Sequence, residues 1–306
     1  MKPAQTPDEL GEKFKLGSPF DLDNEKAYHA WLENKLGDYP QSLDDITVEV
    51  NDPRNLSLAE FKVIRDLCRK TNMAVYAGNT GDDPDKNIPL ALAEQFGLKQ
   101  LDDNMGADDG ITALRVVGDE WRGDYIPYTN RKISWHTDGY YNSMDKQIRS
   151  LLLHCVTPAA SGGANALLDH EMAYIRLRQA NPEYVRVLME PDVMTIPANI
   201  DKDGTVIRPD RHGPVFTIRS DGQLHMRYTA RKRNIIWKQN AYVQQAVKLL
   251  EDFMNSDSPY IYRGTLQSGQ GLICNNVLHD RSAFEDDDNH HRLLYRLRYY
   301  DRMIQT

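Results

Sequence analysis

The chain has 306 residues, of which 40% are hydrophobic and 27% charged. That length and balance suit one large globular domain or two small ones, and they exclude a disordered, collagen-like or coiled-coil chain. The 37 basic residues against 45 acidic ones leave a net charge of −8, which argues against wrapping nucleic acid or lying on an anionic membrane surface.

No stretch approaches the roughly 20 consecutive apolar residues needed to span a bilayer. The N-terminal MKPAQTPDELGEKFKLG lacks the apolar core of a secretory signal. Cys68, Cys155 and Cys274 are far apart and without CxxC spacing, so they read as buried free thiols and the expected compartment is a reducing cytoplasm.

Residues 1–56 are polar and turn-rich, with one helix expected over 25–36; they read as a segment wrapping the edge of a single catalytic domain at 57–306. SLAEFKVIRDLCRKTN (57–72) is helical by pattern. Ser57 can cap it with Glu60 three residues on, and Phe61, Ile64, Leu67 and Cys68 form a stripe at helical spacing. MAVYAG (73–78) reads as a strand, and IPLALAEQFG (88–97) as a helix stopped by glycine. From about residue 110 the texture becomes strand-like, in ITALRVV, YIPYTNRKISWH and QIRSLLLHCV. Helices are expected at 171–179, 182–189 and 241–255. A hairpin turning at Ser220-Asp221-Gly222 should join strands 214–219 and 223–229, and further strands are expected at 259–265, 271–276 and 292–301. Helices early and in inserts, with strands elsewhere, point to a mostly β core with a helical buttress rather than regular βαβ alternation.

The sharpest chemical feature is His136-Thr137-Asp138. Of the nine histidines, only His136 has an acidic residue two positions later. Residues two apart on an extended strand point the same way, so imidazole and carboxylate could meet on one metal. The alternative is a polar turn in solvent. His279 also follows an apolar strand, GLIC, and a polar Asn-Asn turn, 141 residues beyond Asp138. Two histidines and a carboxylate make up the facial triad of non-haem Fe(II) oxygenases, and a closed sheet can unite remote strands. Further on, Arg292, Arg296 and Arg298 share one face of a strand by parity, with Leu293, Tyr295 and Leu297 on the other. Inward arginines need an anion; outward ones make an ordinary charged surface, and the alternation fits either.

Taken together, WHTDGYY, SGGANALL and NNVLHDRSAFEDDDNHHRLLYR resemble the TauD/TfdA-type family of Fe(II)/2-oxoglutarate-dependent dioxygenases, and YTNRKISWHTDGYYN with the segment leading to GGANALLDH is similar to its γ-butyrobetaine hydroxylase-like branch. The resemblance covers roughly residues 55 to 302. It implies a double-stranded β-helix (jelly roll, cupin-like), with Fe(II) held by His136, Asp138 and His279 as the catalytic centre. It implies that Arg292 grips the distal carboxylate of the cosubstrate 2-oxoglutarate, that Arg296 is a second arginine near it, and that Asn165 hydrogen-bonds it. The acidic insert Asp286-Asp287-Asp288 lengthens the His279-to-Arg292 spacing and leaves the choice between Arg292 and Arg296 open. The implied reaction consumes O₂, releases succinate and CO₂, and hydroxylates a C–H bond. Retention of the Asp138 carboxylate fits hydroxylation rather than halogenation.

For the substrate, Tyr125, Tyr128, Trp135, Tyr140 and Tyr141 flank the metal strand and could cage a quaternary ammonium, although many will be core aromatics. Arg227, Arg231, Lys232 and Arg233 form a basic run, of which one member, taken as Arg231, could bind an acid group. The expected substrate is a small zwitterion or anion, with neither nucleic acid nor membrane as partner and a homo-oligomer left open. A non-catalytic jelly-roll binder of small acids and a Zn²⁺ hydrolase on the same ligands are the alternatives. Of the other histidines, His154 reads as a core or supporting residue and His225 as a strand residue near the pocket. His29, His170, His212, His290 and His291 read as surface or turn residues.

Overall fold

A computed structural model describes residues 18–102, 109–117 and 126–306. Its six α-helices among the described residues are α1 (Glu25–Leu36), α2 (Leu58–Thr71), α3 (Asn87–Gln95), α4 (His170–Ala180), α5 (Pro182–Leu188) and α6 (Ala241–Met254). Two sheets carry the fold. The larger orders its strands Thr47–Val50, Met73–Gly78, Gln270–Cys274, Ser150–Thr157, Leu293–Tyr299 and Ile111–Leu114; the smaller orders Ile261–Gly264, Asn165–Leu168, Leu278–Arg281 and Ile133–His136. The first pair of the larger sheet is parallel and its other pairs are antiparallel, as are those of the smaller sheet. This is the jelly-roll architecture. The strand Thr47–Val50 lies within the segment read as an edge wrap, so that segment also supplies the margin of the large sheet.

Strand alternation divides the interior in two. In the large sheet, Val75, Leu151, Leu153, Leu272 and Leu294 face the small sheet and join a core with Leu167, Leu278 and Ile261. Their neighbours Tyr76, Leu152, Ile273, Tyr295 and Leu297 face outward, into a second core closed by Ile64 and Cys68 of α2 and Leu92 and Ala93 of α3. Both faces of the sheet are therefore buried, which is why its strands read as nearly continuous apolar runs. Helix α2 forms where its sequence directs: the Ser57 side chain accepts from Glu60 N, and the Glu60 carboxylate accepts from Ser57 N at 2.6 Å, a reciprocal capping box.

Helix α1 is pinned by charge. Lys35 Nζ lies 2.6 Å from Asp169 Oδ2 and 2.5 Å from Glu171 Oε2, and all three are buried. Asp169 also caps α4 by accepting from Glu171 N, and it accepts from Asn72 Nδ2. Removing the cation strands two buried carboxylates. Lys35→Ala is expected to cost roughly 3–5 kcal/mol, read as a fall in the urea unfolding midpoint.

His170 departs from the surface reading. It opens α4 as a buried residue with Nε2 at 3.2 Å from Leu224 O, because the helix start tucks beneath the 216–226 hairpin. His154 is buried as expected, with Nδ1 at 2.9 Å from the Tyr76 hydroxyl, and His225 is buried as well. Burial pushes His154 and His170 down to about 4 and His225 down to about 3. The unfolded chain therefore takes up these protons first, at its ordinary histidine value, so stability is expected to fall as pH drops from about 6.5 toward 4. Thermal melts across that range check this.

Candidate active site

His136 ends one strand of the small sheet, and His279 sits directly opposite it on the antiparallel neighbour. Their ring centroids are 4.3 Å apart. Each imidazole is fixed through a carbonyl two residues back on its own strand: His136 Nδ1 donates to Ser134 O at 2.9 Å and His279 Nδ1 to Val277 O at 3.0 Å. Protonation at Nδ1 leaves each Nε2 with a lone pair.

Asp138 completes the set just past the strand end. Its Oδ1 lies 3.3 Å from His136 Nε2 and 3.9 Å from His279 Nε2, and one ligand atom from each of the three residues falls within 4.8 Å of the others. Among the described residues this is the one such group of three. The turn that follows depends on Gly139 at φ +68, where a Cβ would also come within 2.4 Å of Ile148 Cγ1. The ligand strand is bordered by the antiparallel segment 228–230. Thr137 N donates to Tyr228 O at 2.9 Å, Thr137 Oγ1 accepts from Tyr228 N at 3.0 Å, and Ala230 N donates to Trp135 O at 2.7 Å.

The charge state fits a divalent metal. Burial raises Asp138, but Arg296, whose NH1 is 3.3 Å from Asp138 Oδ2, and His136 overcome it and hold the carboxyl well below its usual range. Burial and the neighbouring His136 push His279 down to about 4, so it is neutral near pH 7. Two imidazole nitrogens and an ionised carboxylate therefore converge on one point, an arrangement that a divalent cation would bind through all three. This donor set suits Fe(II).

The residue that fixes Asp138, Asn276, is one the sequence reading passed over. In the left-handed region at φ 52, Asn276 accepts from Asp138 N at 2.8 Å and donates to Asp138 O at 2.9 Å and Ile148 O at 2.7 Å. The Asn-Asn pair after GLIC was legible as a turn; its reach across to the other ligand strand was not.

The arginines face inward, on the side of Leu294. Arg298 pairs with Asp102 and donates to the Tyr141 hydroxyl at 2.6 Å. Arg296 pairs with Asp138. Arg292, four residues before it and about 13 Å further along at strand rise, is 4% exposed, and its NH1 is buried without a hydrogen-bond partner among the described residues. Its guanidinium lies 5.0 Å over the Phe284 ring, in a cleft shared with Gly163, Asn165, Thr265 and Leu266. Arg281, another residue missed from sequence, lies over the same ring at 4.9 Å and donates to Thr129 O and Arg131 O. Gly162 shapes the cleft rim, since a Cβ there would come within 2.3 Å of Ala283 O. Asn165 donates to Asp280 O at 2.7 Å and also lines an adjoining cavity of about 200 Å³ between the sheets.

The aromatic candidates separate. Tyr140 stands edge-on to His136 at 6.3 Å and to Tyr141 at 5.2 Å. Trp135 is a core residue, Tyr128 is buried in a 3-10 turn, and Tyr125 lies outside the described residues. In the basic run, Arg227 is buried and spends its nitrogens on the carbonyls of Tyr140, Met194, Gly213 and Arg211. Lys232 and Arg233 are exposed. Arg231 is half-buried, two residues beyond Thr229, which bridges to His136.

Residues 35–298 match the family described as "Taurine catabolism dioxygenase TauD, TfdA family", and the chain belongs to that family. Curated relatives include a uridine-5'-phosphate dioxygenase from Streptomyces sp, 32% identical over 217 residues that make up 67% of this chain and 76% of the relative. A second, from Amycolatopsis sp, is 29% identical over 54% of this chain and 60% of the relative. A trimethyllysine dioxygenase from Meyerozyma guilliermondii is 28% identical over 51% of this chain and 40% of that protein. Among solved structures, the non-heme iron oxygenase OrfP in complex with Fe and alpha-ketoglutaric acid superposes with a TM-score of 0.59 at 17% identity, covering 96% of this chain and 92% of the other. AAD-2 in complex with Mn(II) and N-oxalylglycine gives 0.58 at 13% identity, over 86% and 96%. These likenesses support the same fold.

Asn276→Ala is expected to weaken divalent-metal binding roughly 10–100-fold, the usual cost of losing a residue that orients a ligand. Titration with Mn(II) measures it, with the circular dichroism spectrum retained; unchanged affinity would remove Asn276 from the site.

Proposed function

We propose that this TauD/TfdA family member is an Fe(II)- and 2-oxoglutarate-dependent dioxygenase that hydroxylates a C–H bond of a small anionic or zwitterionic substrate. The observation that carries the proposal is the convergence of His136, Asp138 and His279, with two Nε2 lone pairs 3.3 and 3.9 Å from one carboxylate oxygen. When bound, Fe(II) supplies the redox chemistry that couples oxidative decarboxylation of 2-oxoglutarate, to succinate and CO₂, with insertion of one oxygen atom into the substrate.

The chain's own residues do the rest. His136 at its strand end, Asp138 just past it and His279 on the neighbouring strand would hold the metal. Arg292 binds the distal carboxylate of 2-oxoglutarate: its buried NH1 lacks a partner among the described residues, and a carboxylate accepts two parallel N–H bonds from a guanidinium. Asn165 flanks the cosubstrate on the opposite sheet. Arg296 keeps Asp138 ionised.

The γ-butyrobetaine hydroxylase-like branch is part of this proposal, supported by the WHTDGYY and SGGANALL motifs. Relatives named for uridine-5'-phosphate and trimethyllysine favour a charged small molecule. Neither a non-catalytic acid binder nor a zinc hydrolase is supported by the family match.

Succinate formation with Fe(II), ascorbate and 2-oxoglutarate should rise in the presence of at least one member of a panel of small acids, phosphates and betaines. Stimulation by uncharged hydrophobic compounds alone would sink the substrate class. Arg292→Ala should weaken 2-oxoglutarate binding about 100-fold, from the loss of charge-assisted bonds worth about 3 kcal/mol, and Arg296→Ala should weaken it less. Calorimetry on Mn(II)-loaded protein compares the two, and a reversed order would move the clamp to Arg296.

A further inference from the structure

Of the basic run at 227–233, Arg227 is spent on backbone carbonyls. Two further arginines, Arg208 and Arg211, lie in a short-stranded insert between the two ligand strands. The strand Arg211–Gly213 pairs antiparallel with Met194–Ile196, with Arg211 opposite Ile196 and Gly213 opposite Met194. Residues 211 and 213 therefore share a face, and His212 points the other way, exposed beside Thr195 and Asp210. The shared face is identified by Gly213, whose Cβ position lies 3.2 Å from Arg227 NH1 and 3.0 Å from Met144 Sδ. Arg227 in turn donates to Tyr140 O at 2.7 Å, and the Tyr140 ring stands edge-on to His136. Tyr140 and Tyr141 also act on Arg208, which Arg211 adjoins, so the arginine pair lies beside Tyr140.

Three guanidiniums meet here and differ in occupation. Arg227 is consumed by four backbone carbonyls. Arg208 gives NH2 to Pro197 O at 2.7 Å and NH1 to Pro209 O at 2.8 Å, so its position is fixed by backbone carbonyls, and no carboxylate makes a salt bridge to it among the described residues. Arg211 Nε is buried and has no hydrogen-bond partner among the described residues. Arg208 and Arg211 repel one another, and Arg208 also bears on Arg227. The nearby acids are Asp210, 2.7 Å from His212 Nε2, and the exposed Asp145. Like charges gathered in a half-buried site are costly unless a ligand anion relieves them. A single carboxylate would answer one guanidinium. A phosphate monoester carries about −1.5 to −2 charge near pH 7 with three acceptor oxygens, enough for both arginines.

We infer that Arg208 and Arg211, beside Tyr140, form the substrate-anchoring subsite of the metal centre, and that it takes a phosphate monoester. The inference rests on the oxygenase reading and sharpens its substrate class.

The test uses the full chain loaded with Mn(II) and 2-oxoglutarate, with uridine-5'-phosphate, uridine and inorganic phosphate as calorimetric probes. Uridine-5'-phosphate or inorganic phosphate should bind wild type, and uridine should bind at least tenfold more weakly than its phosphate. Arg211→Ala and Arg208→Ala should each weaken phosphate-probe binding at least tenfold. Arg211→Lys should recover part of the loss, because it keeps the charge without the fork. Lys232→Ala, an exposed neighbour, should bind as wild type does. Wild type binding neither phosphate probe, or equal affinity in the arginine variants, overturns the subsite. Mn(II) and 2-oxoglutarate binding are measured on the same wild-type preparation. Their loss would defeat the oxygenase reading instead, so the two failures are told apart.

Discussion

Three electron-pair donors pointed at one spot constrain this molecule more than any other interaction in it. Nε2 of His136 and of His279 approach the same oxygen of Asp138, and each imidazole is locked by a carbonyl of its own strand. Such a convergence is one that a divalent cation would bind through all three donors. The register of the small sheet, which sets residue 279 opposite residue 136, and the Asn276 bridge across the two ligand segments both serve to hold it. A one-residue slip would turn His279 to the other face of the sheet and dissolve the site.

The inward arginines follow from the same design. A jelly roll offers two apolar sheets face to face, and charge can enter that space only where a counter-charge meets it. Asp102 answers Arg298 and Asp138 answers Arg296, both within the chain. Arg292 has a buried nitrogen without a hydrogen-bond partner among the described residues, and so does Arg211. Anion binding can thus be read as a series of guanidiniums, some satisfied internally and some left for ligands.

Much of the fold was open to reading along the chain. The helix over 25–36, the strand over 73–78 and the capping box at Ser57 are local features written by adjacent residues, and they appear where expected. The YIPYTNRKISWH stretch yielded only the strand Ile133–His136, because the 3-10 turn at Ile126–Tyr128 breaks its first half. His170 was read as a surface residue because its polar flanks hide the hairpin that covers it. Arg208 and Arg211 drew no notice because they lack the density of the 227–233 run, whose buried member proved to be a backbone brace.

By itself the sequence offered His136, Asp138 and His279 as candidate ligands: strand periodicity made the HxD pair a possibility, and the motifs resembling the TauD/TfdA family singled out the set. It also determined that Arg292, Arg296 and Arg298 share a face. Which way that face points, which arginine is already paired, and which asparagine steadies the metal carboxylate were decided only by tertiary packing. These depend on contacts between segments more than a hundred residues apart, and the free energy of a buried charge is set by the neighbours that folding brings to it.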